Sequence, residues 1–356
     1  MSVKIVLMMA ILAQLYASIL ALRLNQRYRW HSSWMLISGA AAGLSVLEFA
    51  VLMMVWDTQA EILDSFPVWT ASLSALLVSV LFVGGVSMIE PLFVKINKAE
   101  YLMQQENERL ERVVQHTEED LALARHIQEK LLPAESPQLP GLQLAGSTVP
   151  AEWTNGDLFD FMPVHPDKQG LVIADATGHG TGPALLMTTT RAYLRVLSQR
   201  ISDPAKILTA ANRAIVADVD QGRFVTVFFA QLDPEQRTVD YASAGHEGYL
   251  LRQTGERVPL HGGGPPLGML GDIEYETAPQ VTLDTGDIIL LASDGIPEAQ
   301  PTGEDAFGVE RMLEIVWACR EKSAEEIVAA LMEAVGKFIG PETRNDDMTV
   351  VLVKAV

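Results

Sequence analysis

The stretch that decides the fold reads Leu171-Val172-Ile173-Ala174-Asp175-Ala176-Thr177-Gly178-His179-Gly180. An apolar run of strand type ends at Asp175, and glycines follow closely, which is typical of a strand that ends in a turn. Three more acidic stretches stand in the same context, at residues 156–160, 293–295 and 345–348. Carboxylates at strand ends can converge on one point, and all-oxygen sites suit hard cations such as Mg2+ and Mn2+. If these stretches meet, the sequence predicts a metal-dependent hydrolase.

The residues around these stretches predict a domain with more strands than helices. Alternating and β-branched apolar runs are frequent, and tight turns such as Ala244-Gly245-His246 separate them. This pattern favours an α+β fold that is largely antiparallel, with a sandwich of sheets and helices outside it. The chain has neither a GxxxxGKS/T phosphate loop nor a GxGxxG motif after a strand. These absences argue against a nucleotide-dependent kinase or ATPase.

The charge of the chain restricts its partners. Its 356 residues include 26 basic and 45 acidic side chains, a formal charge of −19. Residues 1–94 hold four basic and five acidic residues, so −18 of this charge belongs to residues 95–356. Such a domain is unsuited to nucleic acid, because binding the phosphate backbone needs Lys and Arg. The single cysteine, Cys319, excludes an intrachain disulfide, and no Cys/His cluster indicates a zinc site.

Three apolar stretches fill the N-terminal part, at residues 3–22, 35–56 and 68–89. Each is close to the ~20 residues that a membrane-spanning helix needs. We therefore interpret residues 1–94 as a transmembrane domain of three helices. A signal peptide is the alternative for the first stretch, although Lys4 is its only early basic residue.

The charges between the apolar stretches predict their orientation. Arg23, Arg27 and Arg29 follow the first stretch, whereas residues 57–67 carry acidic residues and no Lys or Arg. Because positive loops stay in the cytoplasm, we expect a multi-pass protein of the inner or plasma membrane, with its N-terminus outside and its catalytic domain cytoplasmic. The outer loop is short, which favours a membrane-protein partner over a soluble ligand. Glu48 is costly in lipid, and the sequence leaves open whether it faces a partner helix or marks a helix that packs inside an oligomer.

Residues 95–132 predict one long helix between the membrane domain and the rest of the chain. Every seventh residue from Ile96 onward forms one row of side chains, and this row is mostly apolar. The second row that a coiled coil needs is interrupted by Glu106 and Asp120. We interpret this segment as a coiled-coil-like signalling linker and expect a parallel homodimer. A helix that packs along only part of its length is the alternative. A proline then ends the helix, and the third domain covers residues 133–356.

Seven short motifs occur in order along the second part of the chain. They lie at residues 124–133, 156–160, 174–180, 243–246, 266–268, 293–299 and 345–349. At these residues the chain resembles the metal-dependent serine/threonine protein phosphatases of the PPM superfamily, and more closely their bacterial SpoIIE/RsbU-like branch. One motif alone is a weak signal, whereas the ordered set is a strong one. The resemblance implies a two-sheet β-sandwich flanked by α-helices, in agreement with the strand pattern.

The resemblance also implies two divalent ions, Mn2+ or Mg2+, at one edge of the sandwich. Asp175 would bridge both ions. Asp294 and Asp346 would hold the first ion, and Asp157 and the backbone carbonyl of Ala176 would hold the second. A water between two such ions loses a proton near neutral pH and can attack the phosphorus of phosphoserine or phosphothreonine. The four aspartates are therefore the predicted catalytic residues.

Other residues near these motifs are candidates for supporting roles. Asp160 and Asp347 are close enough in sequence to orient the ligands or to replace one of them. His179 is a candidate for proton transfer or for an ordering role, and His246 is expected to be structural. Residues 149–155 lack the basic side chain with which eukaryotic members hold phosphate. The resemblance therefore implies that the metal ions hold the phosphate.

The sequence thus predicts a membrane-anchored, cytosol-facing phosphoserine/phosphothreonine protein phosphatase. In the branch that it resembles, the usual substrate is a phosphorylated STAS-domain anti-sigma-factor antagonist of a partner-switching pathway. The alternative is a non-catalytic receptor that binds a phosphoprotein through a phosphatase-like domain. Every expected ligand position is acidic, which disfavours this alternative. A two-metal hydrolase of a nucleotide or small phosphate ester is a third interpretation.

Overall fold

The structure is a computed structural model that describes residues 3–27, 32–56, 66–164, 168–178, 180–219, 222–301, 305–340 and 344–356. The chain divides into two compact units, Met1–Val114 and Gln115–Val356. The first unit contains helices α1 (Val3–Arg27) and α2 (Ser32–Trp56) and most of α3 (Phe66–Leu131). Helix α3 passes through Pro91 and covers nearly all of the predicted linker, so its C-terminal end belongs to the second unit.

Two helices of the first unit are long and apolar enough to cross a membrane, at Val3–Gln26 and Met35–Met54. The prediction of three such spans is wrong for the residues that the structure describes. The third stretch forms the start of α3, where the apolar helix is limited to Leu73–Gly85. Serines and glycines lower the hydropathy of this stretch, and charged residues follow it within the same helix.

A small polar network joins the helices of the first unit. The side-chain amide of Gln14 donates to Glu48 Oε1 at 2.9 Å and to Ser79 Oγ at 2.8 Å. The hydroxyls of Ser18 and Ser38 lie 3.0 Å apart. All five side chains are buried. Glu48, whose role the sequence left open, therefore contacts α1 of its own chain.

The second unit is built from two antiparallel sheets. One has the strand order β1-β10-β9-β6-β7, and the other has the order β2-β3-β4-β5-β8. The predicted antiparallel α+β sandwich is confirmed. The bounds of the strands are β1 (Leu142–Val149), β2 (Asp157–Val164), β3 (Lys168–Ala176), β4 (Val225–Asp233), β5 (Thr238–Ala244), β6 (Gly248–Leu251), β7 (Arg257–Leu260), β8 (Val281–Thr282), β9 (Ile288–Ala292) and β10 (Met348–Ala355).

Helices cover the outer faces of the two sheets. They are α4 (Thr181–Ser198), α5 (Pro204–Asp218), α6 (Val309–Ala318) and α7 (Ala324–Ile339). Large apolar side chains such as Phe228, Ile173 and Leu291 fill the space between the sheets. Separate cores lie under α4 and α5 and under α6 and α7. Central strands such as β3 and β4 are buried on both faces because one face meets the other sheet and the opposite face meets helices.

Candidate metal centre

Asp157 and Asp175 lie directly opposite each other on neighbouring strands. Asp157 is the first residue of β2, Asp175 is near the end of β3, and the two are register partners. Burial raises the pKa of Asp157 well above its usual value, and the charge of Asp175 raises it further. Burial, followed by the charges of Asp294 and Asp346, raises the pKa of Asp175 to about 7. Both carboxylates therefore stand where negative charge is poorly compensated.

Two turns of the other sheet bring Asp294 and Asp346 to the same edge. Asp294 follows β9, and Asp346 precedes β10, the strand that pairs with β9. A Cβ atom at Gly295 would lie 2.0 Å from the carbonyl oxygen of Asp347, so the turns touch only because residue 295 has no side chain. Burial, and then the charges of Asp346 and Glu298, raise the pKa of Asp294. The charges of Asp294 and Asp346 thus act on Asp175, although the three residues come from distant parts of the chain.

The donor set fits a hard divalent cation. Asp157 Oδ2 is buried and has no hydrogen-bond partner among the described residues. A cation would compensate this oxygen and the repulsion among the carboxylates. Within the described ranges, no three His, Cys, Asp or Glu side chains are already gathered at metal-ligand spacing. The structure therefore brings the strand ends and their negative charges to one edge, but it does not form a closed set of metal ligands.

Asp347 joins the two sheets beside this centre. Its carboxylate accepts hydrogen bonds from the backbone N–H of Ala151 at 2.7 Å and of Gly156 at 2.5 Å. Burial raises the pKa of Asp347, and these two N–H groups oppose that rise. Because Gly156 precedes Asp157, the side chain of Asp347 holds the residue before one predicted ligand in place.

Asp160 lies elsewhere. It is fully buried, and Arg195 binds it through two hydrogen bonds of 2.6 and 2.8 Å, while Arg191 Nε lies 2.9 Å away. Side chains three apart on a strand point to opposite faces, so Asp160 faces α4 rather than the carboxylates around Asp157. The ion pairs tie β2 to α4, a contact that spans 35 residues of sequence.

Of the two candidate histidines, His179 and His246, the structure describes only His246. His179 lies outside the described residues. His246 is buried, and its Nδ1 lies 3.0 Å from Thr226 Oγ1. Burial lowers the pKa of His246 to about 4, so its imidazole is neutral at physiological pH. Thr226 is the register partner of Asp175, which makes His246 a buried support for the strand next to that ligand.

Sequence reasoning missed Gln128, near the end of α3. Its Oε1 accepts from the backbone N–H of Asn155, and its Nε2 donates to the carbonyl of Asn155, both at 3.0 Å. Nε2 also lies 3.4 Å from the carbonyl of Ala184 in α4. The Asn155 side chain in turn accepts from the backbone N–H of Asp157 at 2.8 Å. The only signal was the motif at residues 124–133, in which no role was assigned to this glutamine.

A cavity of about 430 Å3 lies beside Asp175 and Asp294. His246, Glu247 and Glu298 contribute to its walls. A two-sheet α+β sandwich whose edge gathers aspartates next to such a cavity defines the class of the PP2C-type phosphatases.

Comparison with known proteins supports this class at three levels. The profile of the family described as Stage II sporulation protein E (SpoIIE) matches residues 165–356. The chain belongs to the SpoIIE family of PP2C-type (PPM) phosphatases, a family of metal-dependent serine/threonine protein phosphatases. The resemblance stated from the sequence motifs is therefore confirmed.

Two curated relatives are phosphatases of Bacillus subtilis (strain 168). The phosphoserine phosphatase RsbU is 29% identical over 258 residues, which cover 71% of this chain and 75% of RsbU. The phosphoserine phosphatase RsbP is 27% identical over 191 residues, which cover 51% of this chain and 46% of RsbP.

Solved structures show the same fold at low sequence identity. The SiaA-PP2C domain of Pseudomonas aeruginosa superposes with a TM-score of 0.59 at 22% identity, covering 67% of this chain and 97% of that domain. The PP2C domain with a regulatory fragment of SpoIIE from Bacillus subtilis superposes with a TM-score of 0.53 at 19% identity, covering 61% of this chain and 64% of the other.

Proposed function

We propose that this chain is a membrane-anchored phosphoserine/phosphothreonine protein phosphatase that uses two divalent ions, Mn2+ or Mg2+. The observation that carries the proposal is the buried edge at which burial and neighbouring carboxylates, Asp346 among them, raise the pKa values of Asp157, Asp175 and Asp294. An uncompensated cluster of this kind is costly in a folded protein unless cations neutralise it.

Each aspartate has a role in this proposal. Asp175 would be shared by both ions, Asp294 and Asp346 would hold the first, and Asp157 with the carbonyl of Ala176 would hold the second. When bound, the ions supply a hydroxide at neutral pH and neutralise charge on the phosphoryl oxygens. Three other residues of the chain orient these ligands. Asp347 and Gln128 do so through hydrogen bonds to the backbone, and His246 does so through its contact with Thr226 of β4.

The proposed substrate is a phosphorylated STAS-domain anti-sigma-factor antagonist of a partner-switching pathway. The names of RsbU and RsbP support phosphoserine as the target. The described residues that line the cavity beside Asp175 include no Lys or Arg, which agrees with a phosphate held by metal ions. Affinity for a substrate then depends on contacts between the two proteins away from the phosphate.

The proposed location is the inner or plasma membrane. Helices α1 and α2 would anchor the chain, and Arg23, Arg27 and Arg29, which follow the first apolar stretch, favour the cytoplasm for that end. The proposed catalytic domain faces the cytoplasm. Fusions of a periplasmic-only reporter enzyme and of a cytoplasm-only fluorescent protein at residue 356 test this orientation, since only the cytoplasmic reporter should be active.

We further propose a parallel homodimer joined along α3. Ile96, Met103 and Leu110 are exposed on this helix by 46%, 70% and 52%, which is unusual for apolar side chains of a single folded chain. A second copy would cover them. Light scattering on the full chain in detergent tests the dimer, and a Leu110→Glu substitution should shift it to the monomer.

The activity is tested with the full chain in detergent and a serine-phosphorylated STAS-domain protein. Phosphate release is measured with Mn2+, with EDTA, and with an Asp175→Asn variant. Asp240→Asn is the matched control, because Asp240 lies in the same sheet but pairs with Lys168 on a different part of it. Release that requires Mn2+ and is lost only in Asp175→Asn supports the proposal. Binding of the phosphoprotein without any release would instead support the non-catalytic receptor.

A further inference from the structure

A short loop after β7 presents two large apolar side chains to solvent. Met269 and Leu270 are 48% and 53% exposed. The loop is held from inside by Asn212, which is fully buried, accepts from the N–H of Gly268 at 2.9 Å and donates to the carbonyl of Leu270 at 2.8 Å. A buried amide that is committed to two loop residues fixes the backbone between them. The apolar pair is therefore presented by a rigid segment.

This loop lies close to the proposed metal centre. Leu267 forms two backbone hydrogen bonds with Val225, of 2.9 and 2.8 Å. Val225 is in turn the register partner of Ala176, next to Asp175. Two spacings between neighbouring strands amount to ~10 Å, so the loop starts ~10 Å from the predicted ligands. An interface of ordinary size buries ~800 Å2 on each partner and easily covers that distance.

A guanidinium accompanies the apolar pair. Arg223 is exposed, and its backbone carbonyl lies 3.1 Å from the point where a Cβ of Gly268 would stand. Arg223 Nη1 lies 2.7 Å from the position that a Cβ of Gly182, in the first turn of α4, would occupy. Arg223 thus lies between the loop and the residues that follow Asp175. In a strongly acidic domain, a cation at this place complements an acidic or phosphorylated surface. The acidic residues Asp272 and Glu274 follow the pair, and Glu274 lies 3.8 Å from Arg213.

We propose that Met269, Leu270 and Arg223 form a docking surface for the phosphoprotein substrate. The partner it fits is a folded protein that carries an apolar patch beside its phosphorylated serine. This inference rests on the proposed function and deepens it. Because metal ions would hold the phosphate of any substrate, recognition of one protein needs a contact of this kind outside the reacting centre.

The test compares a protein substrate with a small one. The full chain with both substitutions Met269→Ser and Leu270→Ser is assayed on a serine-phosphorylated STAS-domain protein and on p-nitrophenyl phosphate, with Mn2+. We expect kcat/KM for the protein to fall at least about tenfold, mainly through KM, with unchanged hydrolysis of the small ester. Val196→Ser is the matched control, since Val196 is 56% exposed on α4. Arg223→Gln should raise KM and weaken its dependence on salt.

Binding is measured as well, in an Asp175→Asn background, so that docking is read without hydrolysis. The phosphoprotein should bind this variant and should lose at least about tenfold in affinity when Met269 and Leu270 are also replaced. Equal affinity with and without the apolar pair would overturn the proposal. A change of oligomeric state in the double variant would overturn it too, since the surface would then join two copies of this chain. Failure of the wild type to hydrolyse either substrate would count against the proposed function, and the binding measurement would still decide the docking surface.

Discussion

Gln128 and Asn155 are joined by two hydrogen bonds of 3.0 Å, from the side chain of one to the backbone of the other. The contact resembles one rung of a β-ladder, although Gln128 belongs to a helix. Asn155 then accepts the N–H of Asp157, so the end of α3 reaches a predicted metal ligand through a single intermediate residue.

Removal of this contact should weaken metal binding. Gln128→Ala leaves the backbone N–H and carbonyl of Asn155 without their partner, and the segment before Asp157 gains freedom. We expect a loss of about 10-fold in Mn2+ affinity, the lower end of the range for residues that orient metal ligands. Calorimetric titration of Mn2+ into the metal-free protein measures it. Gln115→Ala is the control, because the side-chain amide of Gln115 on the same helix donates to Glu119 of that helix. Equal affinities in the two variants would contradict this role.

The metal-free protein should lose stability as the pH rises from about 4 towards neutral. The pKa of Asp175 is about 7 in the folded state, above the ordinary value of 3.8. A group with a raised pKa contributes stability below its unfolded pKa and loses that contribution as the pH rises through the folded value. In EDTA, the free energy of unfolding should therefore fall between about pH 4 and 8, on the order of 1 kcal/mol or more.

Two comparisons test the cause of this pH dependence. In Asp175→Asn the fall should be smaller, because the amide does not ionise. In the wild type, Mn2+ should restore stability at the higher pH by neutralising the carboxylates. Urea unfolding at several pH values provides the measurement, and the same slope in wild type and Asp175→Asn would argue against it.

Asp160 should matter for stability rather than for metal binding. Asp160→Asn removes the charge that Arg191 and Arg195 share in a buried setting. Two guanidinium groups are left without a counter-charge, and we expect a loss of roughly 3 kcal/mol in the free energy of unfolding. Mn2+ affinity should change little. Glu333→Gln, which breaks the exposed ion pair with Lys337, should cost less than about 1 kcal/mol.

Gly295 should tolerate no side chain. In Gly295→Ala the new Cβ would overlap the carbonyl oxygen of Asp347, so the turns that carry Asp294 and Asp346 must separate. We expect a loss of at least about 2 kcal/mol in stability together with weaker Mn2+ binding. Gly336→Ala is the control, since a Cβ there meets nothing within 4 Å inside α7 and should be neutral or stabilising.

Much of the fold and the candidate site could be predicted from short-range patterns. The run before Asp175 predicted a strand and a turn, and both occur there. Asp160 shows where such reasoning ends. Nearness in sequence placed it beside Asp157, whereas alternation along β2 turns it to the opposite face, where Arg195 binds it. A partner 35 residues away leaves no local signal.

The amino-acid sequence by itself determined which residues are candidate metal ligands and which segments form strands. The spacing of apolar residues and the positions of turn-forming residues are local properties of the chain. Only the tertiary structure decided that Asp157 stands opposite Asp175, that Gly295 lets two turns touch, and that Gln128 reaches Asn155. These are contacts between distant segments. They depend on strand register and on how the two sheets pack, and a one-residue shift in register would turn every carboxylate to the other face.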